Sequence, residues 1–211
     1  MELSEGTSQK DGVVREILDR GDLSVSEIKQ ELWKRDVSFV KAYDRALVAL
    51  FAVLGVVWLL PAIAHWSGWG FLAVFARLPR VCFPTLIIAL AAVFFFAGLL
   101  LDMMLSVMRG RQGGCNDMHE TVVLVRKGPY RVIRHPGYLA EIIYFTLAPV
   151  MLSMWVPFTI LAVICLVIAG AATAYLIRAE DGFNLRKWGA EYRRYMEEVP
   201  ALNVVEGLRR L

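Results

Sequence analysis

Leu139–Ile177 reads LAEIIYFTLAPVMLSMWVPFTILAVICLVIAGAATAYLI, thirty-nine residues with a single formal charge, Glu141. A helix rises about 1.5 Å per residue and a hydrocarbon core is about 30 Å thick, so about 20 apolar residues cross it once. This stretch is about twice that length. It therefore predicts two crossings joined by a tight connection, placed near Ser153–Pro157, because Pro157 removes a backbone donor and disfavours helix in the residue before it.

Working outward, Ala46–Ala64 is nineteen residues without a charge, and Val81–Met108 is apolar apart from Asp102. Four spans follow, at about 46–64, 81–108, 138–153 and 156–177. The whole chain agrees: 57% of its 211 residues are apolar and 20% are charged. A chain this short has too much surface to hide that many apolar side chains in a soluble core. A soluble enzyme, a disordered chain and a nucleic-acid-binding module are excluded on the same ground, and the partner the composition implies is membrane lipid.

Charge sets the expected orientation. Of 23 Lys and Arg residues, eight precede the first span, six lie in 109–137 and seven follow Ile177, while the 65–80 connection holds two, Arg77 and Arg80. Four crossings place the first three groups on one side of the bilayer, and the positive-inside tendency makes that side, with both termini, cytoplasmic. Trp66, Trp69 and Trp155 then fall at the opposite interface, where indoles gather.

In residues 1–43, Val14, Ile17, Leu18, Ile28, Leu32 and Trp33 fall at helical spacing, which predicts a cytoplasmic amphipathic helical segment. Its phrase LSVSEIKQELWKRD has a faint helix-turn-helix cast but balanced charge, so no nucleic-acid partner is expected. Cys82, Cys115 and Cys165 are widely spaced, and His65, His119 and His135 form no ligand pair, so neither a disulfide framework nor a metal site is expected.

The chemistry-bearing residues concentrate in two polar stretches, each abutting a span. Leu124–Tyr138 is LVRKGPYRVIRHPGY; Gly128-Pro129 marks a turn and Pro136 presets the chain before the third span. Tyr130, Arg131, Arg134 and His135 crowd between them, a set able to hold a carboxylate by charge-assisted hydrogen bonds. Arg178–Pro200 is RAEDGFNLRKWGAEYRRYMEEVP. Glu180 stands where it would pair Arg178, bind a cation or move a proton. Trp188, Tyr192 and Tyr195 recur at intervals of four and three, one face of a helix, a stripe expected to pack the tail onto the protein. Glu141, an ionisable group inside a span, is a functional candidate by default.

These two stretches, in this order around a transmembrane hairpin, resemble the isoprenylcysteine carboxyl methyltransferase and phospholipid methyltransferase type of integral membrane enzyme. That pattern runs LVxxGxYxxxRHPxY and then EExxLxxxFGxxYxxY, and the likeness covers about residues 124–200. The resemblance implies an all-α, S-adenosylmethionine-dependent enzyme without a Rossmann domain, acting on a lipophilic or lipidated acceptor at the cytoplasmic membrane face. By resemblance Leu124, Val125, Gly128, Tyr130, His135 and Tyr138 would line the cofactor pocket. Glu180 and Asp181 stand at the acidic pair that would contact cofactor or orient substrate. Arg178 would hold a carboxylate acceptor; Glu180 or Glu141 would take the proton of an amine acceptor. The chain departs from the pattern at Asp181, at Val122 where many prenylcysteine-type members have His (His119 is three residues earlier), and at Leu176 where they often have Arg. RHPGYLAE is also similar to a phrase of the larger sterol reductases, so an NADPH-dependent reductase and a non-enzymatic scaffold stand as alternatives.

Overall fold

A computed structural model describes residues 43–111 and 124–211, with Glu16, Glu27, Gln30 and Glu31 of the N-terminal segment as isolated helical positions. Val14, Ile17, Leu18, Ile28, Leu32, Trp33, Cys115, His119 and Val122 lie outside the described residues, so the N-terminal amphipathic expectation and the place of His119 do too. The protein is all-α and polytopic, as its composition predicts. The long helices are α1 (Tyr43–Ser67), α3 (Thr85–Arg111), α4 (Pro136–Met151) and α5 (Ile160–Trp188). Shorter ones are α2 (Ala73–Ala76), α6 (Ala190–Glu198) and α7 (Val204–Arg209), with single 3-10 turns at Gly70–Leu72, Gly128–Arg131 and Leu152–Met154.

Among the described residues, four segments are long and apolar enough to cross a bilayer: Ala46–Ser67, Thr85–Arg109, Pro136–Met154 and Ile160–Leu185. Fewer than one in five residues of each apolar stretch is buried within the chain. In water such helices would leave their apolar faces unpaid for; in hydrocarbon those faces meet lipid, while the backbone bonds within each helix except where Pro61 and Pro149 remove a donor.

The helix ends differ from the expected spans for local reasons. The second starts at Thr85 rather than Val81, because the Val81 N–H donates to the Phe158 carbonyl at 2.8 Å and Pro84 then opens the helix. The break between the third and fourth is where Pro157 implies, with the 3-10 turn Leu152–Met154 before it. The fourth runs eleven residues beyond Ile177, continuing through Gly182 and ending only where Gly189 leaves helical φ/ψ.

The chain forms two compact units. Of the described residues beyond 42, the first comprises 103–111, 124–136 and 176–211; the second comprises 43–102 and 137–175. In the second, Phe51 of α1 stacks on Phe145 of α4 with ring centroids 6.0 Å apart. The Cys165 thiol of α5 donates to the Leu54 carbonyl of α1 at 3.4 Å. Gly98 lets α3 approach α4 closely: a Cβ there would lie 3.1 Å from Ile143 Cγ2 and 3.2 Å from the Ala140 carbonyl. Close approach at a small residue is how helices gain packing contacts where lipid offers no hydrophobic drive.

Candidate active site

The first unit joins the two polar stretches. Its loop begins at Gly128, whose φ of +63° belongs to the left-handed region that only glycine enters freely. Pro129 follows at the second position of the 3-10 turn, and its carbonyl accepts from Val132 N and Ile133 N at 3.0 and 3.1 Å. Ile133 is buried beneath the turn. Beyond it the chain extends, and the backbone N–H groups of Arg134 and His135 donate to the carbonyls of Pro200 and Ala201 at 2.9 and 3.2 Å.

Side chains complete the junction on one carboxylate. Arg134 Nη2 donates to Asp181 Oδ2 at 2.9 Å. His135 Nε2 and the Tyr192 hydroxyl both contact Asp181 Oδ1, at 2.8 and 2.6 Å. Because the acceptor is a carboxylate, Nε2 carries the ring proton on that side. The Arg134 and Asp181 side chains are about nine-tenths buried, and that of His135 more so. Arg134 Nη1 also donates to the Met196 and Val199 carbonyls at the C-terminal end of α6. Those carbonyls have no partner within the helix and carry its negative pole, so a guanidinium is well placed there.

A second tie is aromatic. The Tyr195 hydroxyl donates to the Tyr130 carbonyl at 2.6 Å. The Arg126 guanidinium sits 5.1 Å from the centre of the Tyr195 ring and pairs with Glu198. Burial pushes both tyrosine phenols up, Tyr192 further because its proton is held by the Asp181 carboxylate, so both remain donors at any physiological pH.

Trp188, Tyr192, Tyr195 and Val199 form a buried cluster, with Leu124, Leu185 and Met196 packed against it. The packing role expected of the aromatic stripe is what the structure shows, but one continuous helix face is not. Trp188 ends α5, and α6 starts after Gly189, which adopts φ 54° and ψ −122°. That conformation is close to glycine-only. Gly189→Ala is expected to cost about 1–3 kcal/mol, read as a lower unfolding midpoint in detergent while Ala190→Gly on the exposed side of α6 moves it by less.

The sequence-derived candidates divide accordingly. His135 and Asp181 are brought together and bind each other. Val125 is buried, and Leu124 packs on the aromatic cluster. Gly128 and Tyr130 shape the loop, Tyr130 through its carbonyl. Arg178 is exposed and Glu180 half-buried. Among the described residues neither forms an ion pair or hydrogen bond, so the pairing of Glu180 with Arg178 is not made; two residues apart on a helix, they face different ways. Tyr138 and Glu141 lie on α4, in the second unit. Among the described residues no group of three His, Cys, Asp or Glu side chains is placed to hold a metal.

Tyr192, Gly189 and Gly207 are the residues that sequence reasoning leaves without a site role. Tyr192 was legible only as packing. Gly207 of α7 has no motif around it, yet a Cβ there would sit 1.9 Å from the Val132 carbonyl oxygen. Set against protein-family models, curated proteins and solved structures, the chain finds no match.

Proposed function

We propose that this protein is an integral membrane methyltransferase that uses S-adenosylmethionine to methylate a lipophilic acceptor at the cytoplasmic membrane face. The observation that carries the reading is the junction on Asp181. Residues 134–135 and 181–192, which hold the two halves of the methyltransferase-like pattern, share one buried carboxylate. A pattern whose halves serve unrelated anchoring roles has no reason to meet there.

The donor set fits the amino-acid carboxylate of such a cofactor. Buried Arg134 Nε and Arg109 Nε have no hydrogen-bond partner among the described residues. A buried guanidinium N–H left unpaired is costly, and a cofactor carboxylate is the kind of acceptor that satisfies it. His135 and Asp181 are spent on each other, so their part is to hold the loop in place; half-buried Glu180 is a side chain left to touch a ligand. S-adenosylmethionine would supply an activated methyl on a sulfonium, open to direct displacement. Arg178, exposed just before Glu180, would attract a carboxylate acceptor; Glu180 would accept the proton of an amine acceptor. The remainder of catalysis would be alignment and exclusion of water.

Radiolabelled methyl transfer from S-adenosylmethionine into a lipid extract tests the reading, with the labelled product then identified. With an amine acceptor, Glu180→Gln is expected to lower transfer about 100-fold or more without changing the unfolding midpoint, because Glu180 makes no bond among the described residues. A folded wild-type protein that transfers no label and binds no S-adenosylhomocysteine by calorimetry would overturn it.

A further inference from the structure

The second unit contains a built cavity that has no part in the junction described above. The α1–α3 and α4–α5 connections lie at the same end of the four spans, because successive crossings alternate in direction. They are also fastened together there: Val81 N bonds to Phe158 O at 2.8 Å, and the Phe83 and Phe158 rings meet edge to face at 5.1 Å. Between them opens a cavity of about 440 Å³, within the size range of small-ligand sites. His65, Arg80 and Cys82 line it, Trp66 and Trp155 stand at its rim, and Ile88 contributes apolar wall.

The charge balance identifies the occupant. From Arg45 to Leu101, and again from Ile142 to Ala179, the chain has no Asp or Glu. The basic residues at this end therefore have no carboxylate in the adjoining connections or helix ends to pair with; Asp44, Asp102, Glu141, Glu180 and Asp181 all stand toward the opposite helix ends. Among the described residues neither Arg80 nor His65 makes an ion pair or hydrogen bond. In the other unit Arg126 is partnered by Glu198 and Arg134 by Asp181. An arginine and a histidine, framed by two exposed indoles at a span end, match an anionic head group at the level where a bilayer places it, with the acyl chains running down the apolar helix faces.

We propose that this cavity binds the phosphate head group of an anionic membrane lipid, held by Arg80 and His65. The proposal is independent of methyl transfer. Native mass spectrometry of the full chain in neutral detergent, titrated with phosphatidylglycerol or phosphatidylcholine, tests it. One phosphatidylglycerol should be retained at least about tenfold more tightly than phosphatidylcholine, the effect of losing one charge-assisted contact. Arg80→Gln with His65→Gln should remove that preference, while Arg77→Gln, on the same connection but outside the cavity, should keep it. In the unmodified chain, phosphatidylglycerol should slow maleimide labelling of Cys82, mapped by peptide mass, which keeps the test open if the double variant does not fold. Equal retention of the two lipids would overturn the proposal. So would an unchanged preference in the double variant, or inorganic phosphate protecting Cys82 as well as the lipid does.

Discussion

Asp181→Ala is expected to lower the unfolding midpoint of the detergent-solubilised protein more than any other side-chain truncation in the first unit, at a cost of about 3–5 kcal/mol. Its carboxylate accepts from Arg134, His135 and Tyr192 at once. Removing it leaves a guanidinium about nine-tenths buried without its counter-charge, and strands the His135 Nε2 proton and the Tyr192 hydroxyl. The penalty arises less from lost attraction than from uncompensated burial, and that distinction can be measured. Asp181→Leu combined with Arg134→Met should recover much of the loss, because replacing both partners of a buried pair with apolar groups is often near neutral. A midpoint within about 0.5 kcal/mol of wild type for Asp181→Ala would show that the junction does not hold the unit together. If Asp181→Ala and the double variant were equally destabilised, the accounting by stranded charge would fail.

Gly207→Ala is the second large effect, and it acts through backbone rather than charge. The added Cβ would fall 1.9 Å from the Val132 carbonyl oxygen and 2.8 Å from its carbon. No side-chain rotation relieves a clash with a carbonyl, so α7 or the loop must move. Overpacking costs about 1–3 kcal/mol and occasionally more, and the upper end is expected because Val132 precedes Arg134 and His135 by two and three residues. Lifting α7 would also strain Asn203, whose side chain accepts from Glu206 N at 3.1 Å to cap that helix. Leu208→Ala, on the exposed side of α7, supplies the control and should lie within about 0.5 kcal/mol of wild type. A Gly207→Ala protein as stable as the Leu208→Ala protein would mean that α7 does not bear on the loop.

Both predictions concern one unit because that unit folds on a few directional contacts. The spans behave differently. Their helices are specified by uninterrupted apolar length, which any register and any neighbour would satisfy, and single truncations on lipid-facing positions such as Phe94 or Val167 remove little that a lipid tail does not replace.

The same contrast separates what was legible from what was not. Four spans, their approximate ends and the break before Pro157 were readable in one pass, because backbone satisfaction in hydrocarbon is a local requirement set by length and by proline. The turn at Gly128-Pro129 was equally local. The partner of His135 was not legible: Asp181 is 46 residues away, and nothing in either phrase states that one carboxylate will collect three donors. Spacing read Trp188, Tyr192 and Tyr195 as one helix face, and correctly as packing, but it missed the break at Gly189 because glycine inside a helical pattern is ambiguous until its φ is known. Gly207 carried no signal at all.

Sequence alone determined the environment of this protein. A 57% apolar composition gathered into nearly charge-free runs dictates an all-α polytopic chain, since length and hydropathy are properties of a segment by itself. Only the tertiary structure decided which polar residues are partners: Asp181 with Arg134, His135 and Tyr192, Tyr195 with the Tyr130 carbonyl, Gly207 beneath Val132. Those pairings depend on distances between segments remote in the chain, and a buried charge or donor is satisfied by whichever group the fold delivers to it.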